Sequence, residues 1–276
     1  MKGLEKSAKT DTKGMIFTIV LYAIGASSVP YVWMANLFGG GKELEWIIGF
    51  IAKTICSILP VYLIFEFGFS DILKLNKRKL KSVVFTIPAL LIMVNNLPIV
   101  PLITGDMAII GGFWQFLPYV LFCLSIGIIE ETTFRGTILP LLLYKFPKDK
   151  KGTFWAVILS SAIFGASHLV NLLAGFSPAV FLQVGYSFLI GAVCGFALIV
   201  SGNIYLPILF HAIFDIGGFM LGEGLAIGTL WTVENIIWTA VFSVLMGIVI
   251  VLIFTKKDFS HLATSLNLCR VPEEEK

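Results

Sequence analysis

Long apolar stretches restrict this chain to few folds. Windows of about 20 apolar residues, the length that crosses a hydrocarbon core, lie at about 15–37, 46–67, 83–103, 113–143, 153–173, 180–200, 204–221 and 231–254. The first window continues to Leu37 and others follow it, which favours an uncleaved first span over a signal peptide. Because backbone polar groups in a bilayer must be satisfied within the protein, the pattern predicts an all-α polytopic membrane protein with about eight transmembrane helices.

The composition leaves little room for other classes. Of the 276 residues, 57% are hydrophobic and only 13% are charged, so polar groups cannot cover a soluble surface. Disordered, secreted and nucleic-acid-binding proteins are excluded by the same argument. We expect residues 1–276 to form a single integral membrane domain whose main partner is the lipid bilayer.

The basic residues predict an orientation. Seventeen of the 20 Lys and Arg side chains lie in four alternate segments: the N-terminus, the 68–82 loop, the 145–152 loop and the C-terminal tail. Positive charge in short loops marks the cytoplasmic side, so both termini are expected to face the cytosol. The excess of Lys over Arg is a weak indication of a prokaryotic cell membrane.

Two features predict local helix geometry. The fourth window is too long for one straight crossing at ~1.5 Å per residue, so we expect a tilted or broken helix near Pro118 or Pro140. Gly191 and Gly195 form a small-xxx-small pair that would let the sixth span approach a neighbouring helix closely.

Ionisable side chains inside apolar spans are costly and indicate a function unless they are paired or near an interface. Lys53, Glu66 and Glu234 lie toward span ends, where snorkelling explains them. The other intramembrane groups are the candidate site residues: Glu130, Glu131, Arg135, His168, His211 and Asp215.

Helical spacing suggests how these groups are used. Glu131 and Arg135 are one turn apart in the order that favours an ion pair, which leaves Glu130 to face elsewhere. Phe164 and His168 share a face, so the aromatic ring can cover the imidazole. His211 and Asp215 also share a face, and Asp215 is placed to orient the ring or to share a ligand site. Alone, the first motif is equally consistent with a structural ion pair, and each histidine motif is more often a packing or structural feature than a functional one.

Taken together, charged groups from three helices are expected to converge on one wet intramembrane cavity. The estimated depths of these residues along their helices agree only in part. At ~1.5 Å per residue, Glu130 lies about 22 Å from Lys145 and His168 about 24 Å from Gly152, whereas His211 is only about 14 Å from Gly202. Either the seventh helix begins below the membrane surface or its predicted ends are wrong.

At these residues the chain resembles the CAAX protease and bacteriocin-processing family, which includes the type II CAAX prenyl endopeptidases. The resemblance covers about residues 113–221, the expected motif-bearing core. Three motifs match in order: Glu-Glu-x-x-x-Arg at Glu130, Glu131 and Arg135, Phe-x-x-x-His at Phe164 and His168, and His-x-x-x-Asn/Asp at His211 and Asp215.

The resemblance implies an intramembrane endopeptidase acting on a peptide or a prenylated protein, with Glu130 and His168 activating water. It implies that Glu131 and Arg135 shape the site and that His211 and residue 215 stabilise the oxyanion. The best-known prenyl proteases have Asn at the last position, and an ionised Asp215 cannot donate a hydrogen bond, whereas a protonated one can.

The sequence leaves open whether the site binds a metal ion. Glu130, His168, His211 and Asp215 carry donors that suit Zn²⁺ with an open water position, and a metal-free glutamate-base mechanism uses the same residues. Two other functions also stay open. One is a non-catalytic role in bacteriocin self-immunity or as an envelope scaffold. The other is an ion-coupled transporter, although the repeat symmetry common in transporters is missing.

Overall fold

The computed structural model describes residues 12–75, 81–147, 149–230 and 232–257. The basic residues of segments 1–11, 76–80 and 258–276, together with Lys148, lie outside the described residues. The membrane orientation therefore stays a prediction from the sequence.

The described residues are almost entirely helical, which confirms the all-α prediction. A single two-stranded antiparallel sheet pairs β1 (Met107–Ile109) with β2 (Ala226–Gly228). Shorter helical turns are the 3₁₀-helices Ser70–Leu73, Lys81–Thr86 and His168–Ala174 and the π-helix Phe134–Ile138. The α-helices are α1 (Thr12–Ser27), α2 (Tyr31–Leu37), α3 (Lys42–Cys56), α4 (Ile58–Glu66), α5 (Ile87–Val94), α6 (Ile99–Thr104), α7 (Phe113–Thr133), α8 (Leu139–Lys145), α9 (Lys150–Ser167), α10 (Pro178–Ser201), α11 (Tyr205–Phe219) and α12 (Val233–Lys256).

Within the described ranges, six helical segments are long and apolar enough to cross a membrane: Thr12–Leu37, Lys42–Glu66, Phe113–Lys145, Lys150–Ala174, Pro178–Ser201 and Val233–Lys256. The predicted windows 83–103 and 204–221 instead contain shorter apolar helices, Ser82–Val94 and Tyr205–Phe219. In the first of these windows α5 ends at Val94, and α6 begins only after Pro98. The polytopic architecture is confirmed, and eight crossings remain a prediction.

The irregularity predicted in the fourth window lies near Pro140. The chain leaves α7 at Thr133 and passes through the π-helix before α8, where Pro140 occupies the first turn. Proline has no N–H and cannot bond the carbonyl of Gly136, which accounts for a wider turn immediately before it. Pro118 lies within α7, which continues through it.

The start of the seventh predicted span is covered by another part of the chain. Ile204 is fully buried, its N–H donates to the carbonyl of Ile72 at 3.0 Å, and the Tyr205 hydroxyl donates to the carbonyl of Leu73 at 3.3 Å. The 3₁₀-helix Ser70–Leu73 thus covers the start of α11. A covered start of this kind fits a seventh helix that begins below the membrane surface, which stays a prediction.

Glycines set the helix spacing around the centre, where α7 packs on α3 and α11, and α9 packs on α10. A Cβ at Gly127 of α7 would lie 2.9 Å from the carbonyl oxygen of Ile208 on α11. A Cβ at Gly191 would lie 3.0 Å from Ser161, and one at Gly195 3.0 Å from Val157, both on α9. The predicted close approach of the sixth span is confirmed, with α9 as the neighbour.

Candidate active site

The structure brings the predicted motifs to one cavity. It has a volume of about 660 Å³ and is lined by groups from α7, the end of α9 and α11, among them Glu130, His168, His211 and Asp215. Glu131 and Arg135 lie behind this wall, with side chains 0% and 1% exposed. The expected convergence of three segments is therefore present in the fold.

Glu131 is fixed by two partners. Its Oε1 accepts a hydrogen bond from Arg135 Nη1 at 3.0 Å and one from His211 Nδ1 at 2.7 Å. The first contact is the ion pair expected from the one-turn spacing. The second joins α7 to α11, because Gly127 lets these helices meet at backbone contact. Glu131 thus connects the first motif to the third.

Glu130 has a different environment from its neighbour. Its side chain is 15% exposed, it lines the cavity, and its nearest ionic partner is His211 Nε2 at 3.5 Å. Adjacent helical residues point about 100° apart, so one carboxylate faces the packed interior and the other the open space. Glu130 is the carboxylate available to a molecule in the cavity.

Phe164 is the aromatic contact shared by the site. Its ring centroid lies 5.0 Å from the His168 ring and 5.9 Å from the His211 ring, and Arg135 Cζ lies 4.5 Å from the ring centre on another side. The predicted aromatic cover over His168 is confirmed. A cation and two imidazoles held against one ring have little freedom to reorient.

The backbone fixes the tautomer of His168. Nδ1 lies 3.0 Å from the carbonyl oxygen of Phe164. A carbonyl can only accept a hydrogen bond, so Nδ1 carries the proton and Nε2 of the neutral ring is left as an acceptor. His168 is the first residue of the 3₁₀-helix that follows α9, which turns its ring toward the cavity that it lines.

His211 is oriented by Glu131 rather than by Asp215. Its Nδ1 donates to the Glu131 carboxylate, while Nε2 lies 3.5 Å from Glu130 Oε2 and 3.7 Å from Asp215 Oδ2. Asp215 is 5% exposed, and its Oδ2 has no hydrogen-bond partner among the described residues. The side chain shares the His211 face as predicted, and its Oδ2 is a buried acceptor whose nearest ionic neighbour is His211 Nε2.

Lys53 is the site residue that sequence reasoning missed. It is only 5% exposed and lines the same cavity, so the structure corrects the expectation that it snorkels to the membrane surface. Trp46, Gly49 and Lys53 are the buried residues of α3. Their spacing of three and four places Lys53 on the inward face of this helix, a signal that was readable from the sequence. Glu66 and Glu234 are exposed, in agreement with expectation.

The candidate metal ligands do not form a metal centre. Across the described part of the chain, no group of three or more His, Cys, Asp or Glu side chains is arranged to hold an ion. Glu131 Oε1 and His211 Nδ1 already bond each other, and His168 Nδ1 bonds the backbone.

Comparison with known proteins gives one match. Residues 112–217 match the family described as type II CAAX prenyl endopeptidase Rce1-like. The matched segment contains all of the motif residues described above. No curated protein and no solved structure matches the chain.

Proposed function

We propose that this chain, whose residues 112–217 match the type II CAAX prenyl endopeptidase Rce1-like family, is an intramembrane endopeptidase in which Glu130 and His168 activate water. The family assignment implies proteolysis in general. The role of each residue is our inference from the geometry of the cavity.

The observation that carries the proposal is the division between two adjacent carboxylates. Glu131 is fully buried and bonded to Arg135 and His211, whereas Glu130 is 15% exposed and faces the cavity. A general base must reach its proton donor directly. Glu130 meets this requirement, and Glu131 supplies the rigid support behind it.

Hydrolysis follows from this arrangement. Glu130 accepts a proton from a water molecule, and the water oxygen attacks the peptide carbonyl while Nε2 of His168 accepts its second hydrogen bond. The tetrahedral intermediate collapses, the C–N bond breaks, and Glu130 returns the proton to the leaving nitrogen. The products are a carboxylic acid, which keeps the second proton of the water, and an amine. Transfer of that proton leaves a carboxylate and an ammonium group, and Glu130 is back in its starting state.

His211 is the group placed to stabilise the oxyanion. In its protonated form Nε2 donates into the space between Glu130 and Asp215, and a donor aimed at developing charge in a dry site lowers the barrier. The negative field of Glu131, at 2.7 Å from Nδ1, supports the cationic ring. A protonated Asp215 would add a second donor from the same helix.

A second cavity has an apolar lining suited to an isoprenoid chain. Its volume is about 1020 Å³, and it is lined mainly by apolar side chains of α1 and α9. It shares Ile24, Ser167 and Val170 with the site cavity, so an apolar chain seated there would lie beside His168. We infer that this groove holds the isoprenoid while the peptide enters the site.

We also propose that residues 1–276 form one membrane domain with 113–221 as its motif-bearing core, in a prokaryotic cell membrane with both termini in the cytosol. This orientation rests on the distribution of basic residues. Green fluorescent protein fused to the C-terminus should fluoresce in bacterial cells, since it folds poorly outside the cytosol. A dark fusion that is stably inserted would contradict the orientation.

The proposal is tested with purified protein in lipid nanodiscs and a panel of prenylated and unprenylated peptides, with and without a strong chelator. We expect the wild type to cleave a prenylated peptide, and Glu130→Ala and His168→Ala to lose activity by at least about a hundredfold. Glu234→Ala, which removes an exposed glutamate of α12, is the matched control and should retain it. Loss of activity with chelator would show a metal requirement and contradict the mechanism above.

Cellular complementation separates catalysis from the alternative role. If Glu130→Ala and His168→Ala both support the wild-type phenotype, the protein acts without hydrolysis, as a bacteriocin-immunity or scaffold protein. Failure of both variants at wild-type protein levels supports the protease.

A further inference from the structure

Lys53 is a buried cation without a countercharge. No carboxylate of the described residues lies within 4.0 Å of its ammonium group. The ammonium group donates one long hydrogen bond, 3.5 Å to the carbonyl oxygen of Ser27. The aromatic rings of Tyr31 and Phe122 lie 5.6 Å and 6.0 Å from Nζ. An ammonium group has three donors, so most of its hydrogen-bonding capacity is unused.

The position of Lys53 links it to the site. It lines the cavity that Glu130, His168 and Asp215 also line, and Glu130 and Asp215 act on it electrostatically. α3 holds Lys53 there through Gly49, since a Cβ at that glycine would lie 2.7 Å from the Phe122 ring of α7. A buried charge is costly unless an opposite charge approaches it.

We propose that Lys53 binds a carboxylate of the peptide substrate and so determines which peptides the enzyme accepts. The inference rests on the proposed function, because it places the substrate in this cavity. The rings of Tyr31 and Phe122 exclude water around the ammonium group, and a charge-assisted hydrogen bond is stronger in such surroundings. The free carboxylate is supplied by either the peptide C-terminus or an acidic side chain.

A binding experiment tests this role without requiring turnover. The protein carries Glu130→Gln and is held in nanodiscs, and the probes are a farnesylated tetrapeptide with a free C-terminal carboxylate and its C-terminal amide. We expect the acid to bind at least about tenfold more tightly than the amide. Adding Lys53→Met should reduce affinity for the acid to that for the amide and leave the amide unchanged.

Two further variants separate charge from folding. Lys53→Arg keeps the cation and should retain part of the preference for the acid. Lys74→Met removes an exposed lysine that pairs with Asp71 and should behave like the parent. An amide probe with glutamate as its last residue identifies which carboxylate Lys53 binds. If this probe regains the affinity of the acid, the carboxylate belongs to a side chain. If it does not, the carboxylate is that of the C-terminus.

Equal binding of the acid, the amide and the glutamate-bearing amide by the parent, or an equal loss for all three probes in Lys53→Met, would overturn the proposal. Binding is measured in Glu130→Gln, which lacks the proposed general base. The binding result can therefore be interpreted even if the wild-type protein cleaves no peptide. Conversely, if the wild type cleaves peptides at the same rate with and without a terminal carboxylate or an acidic side chain, the role of Lys53 is overturned and the protease function is retained.

Discussion

At the scale of residues, the division of work between Glu130 and Glu131 decides what the cavity can do. One carboxylate is used to hold Arg135 and His211, and the other is presented to a ligand. Substitutions of the two glutamates should therefore differ in their effects on stability and on catalysis. Loss at position 131 affects stability first, and loss at position 130 affects chemistry alone.

Glu131→Gln should lower the thermal midpoint of the protein in nanodiscs. The substitution leaves the buried Arg135 guanidinium without its countercharge, and breaking a buried pair costs roughly 3–5 kcal/mol. Glu66→Gln removes an exposed glutamate and serves as the control with no expected change. A Glu131→Gln protein as stable as the wild type would show that the ion pair does not hold the site together.

The sequence predicted contacts within a helix better than contacts between helices. The Glu131–Arg135 pair and the Phe164–His168 contact follow from one-turn spacing alone. The bond from Glu131 to His211 depends on how closely α7 and α11 approach, which is a tertiary property. Lys53 was misjudged because its distance from the helix end was considered and the inward face shared with Trp46 and Gly49 was not.

At the scale of elements, the approach of α7 to α11 builds the site. Gly127 lies one turn before Glu131, and a Cβ there would lie 2.9 Å from the Ile208 carbonyl oxygen and 3.6 Å from His211 Cβ. The π-helix before Pro140 then carries the chain into α8 with Arg135 still beside Glu131. The apolar windows located α7 but not the shortness of α11 or the cover over its start, because that cover is supplied by Ser70–Leu73, another part of the chain.

Gly127→Ala should therefore separate α7 from α11, reduce peptide cleavage by at least about tenfold and lower the thermal midpoint. Gly185→Ala on α10 is the matched control, since a Cβ there meets nothing within 4 Å. Alanine is the better helix former by about 1 kcal/mol, so the control should be as stable as the wild type or more so. Full activity in Gly127→Ala would contradict the importance of this contact.

At the scale of the whole molecule, two cavities meet beside His168, one polar and one mainly apolar. Most of the exposed large side chains are apolar, as expected for a protein surrounded by lipid. Overall architecture was predictable because bilayer thickness fixes span length. The cavities were not, since their shapes depend on side chains from distant spans.

Leu159→Trp should reduce cleavage of prenylated peptides selectively. Leu159 is 40% exposed and lines the apolar groove, so a larger ring would occupy the space proposed for the isoprenoid. We expect the KM for a prenylated peptide to rise about tenfold with little change for any unprenylated peptide that is cleaved. Leu245→Trp on α12, where Leu245 is 52% exposed, is the control, and an equal effect of both variants would contradict the groove assignment.

The most direct test of the central claim is the single-turnover rate of peptide cleavage by Glu130→Gln in nanodiscs, measured beside its thermal midpoint. Glutamine keeps the size of the side chain and removes its ability to accept a proton from water. We predict a rate at least about a hundredfold below that of the wild type at an unchanged thermal midpoint. Wild-type cleavage by a folded Glu130→Gln protein would contradict the assignment of Glu130 as the base.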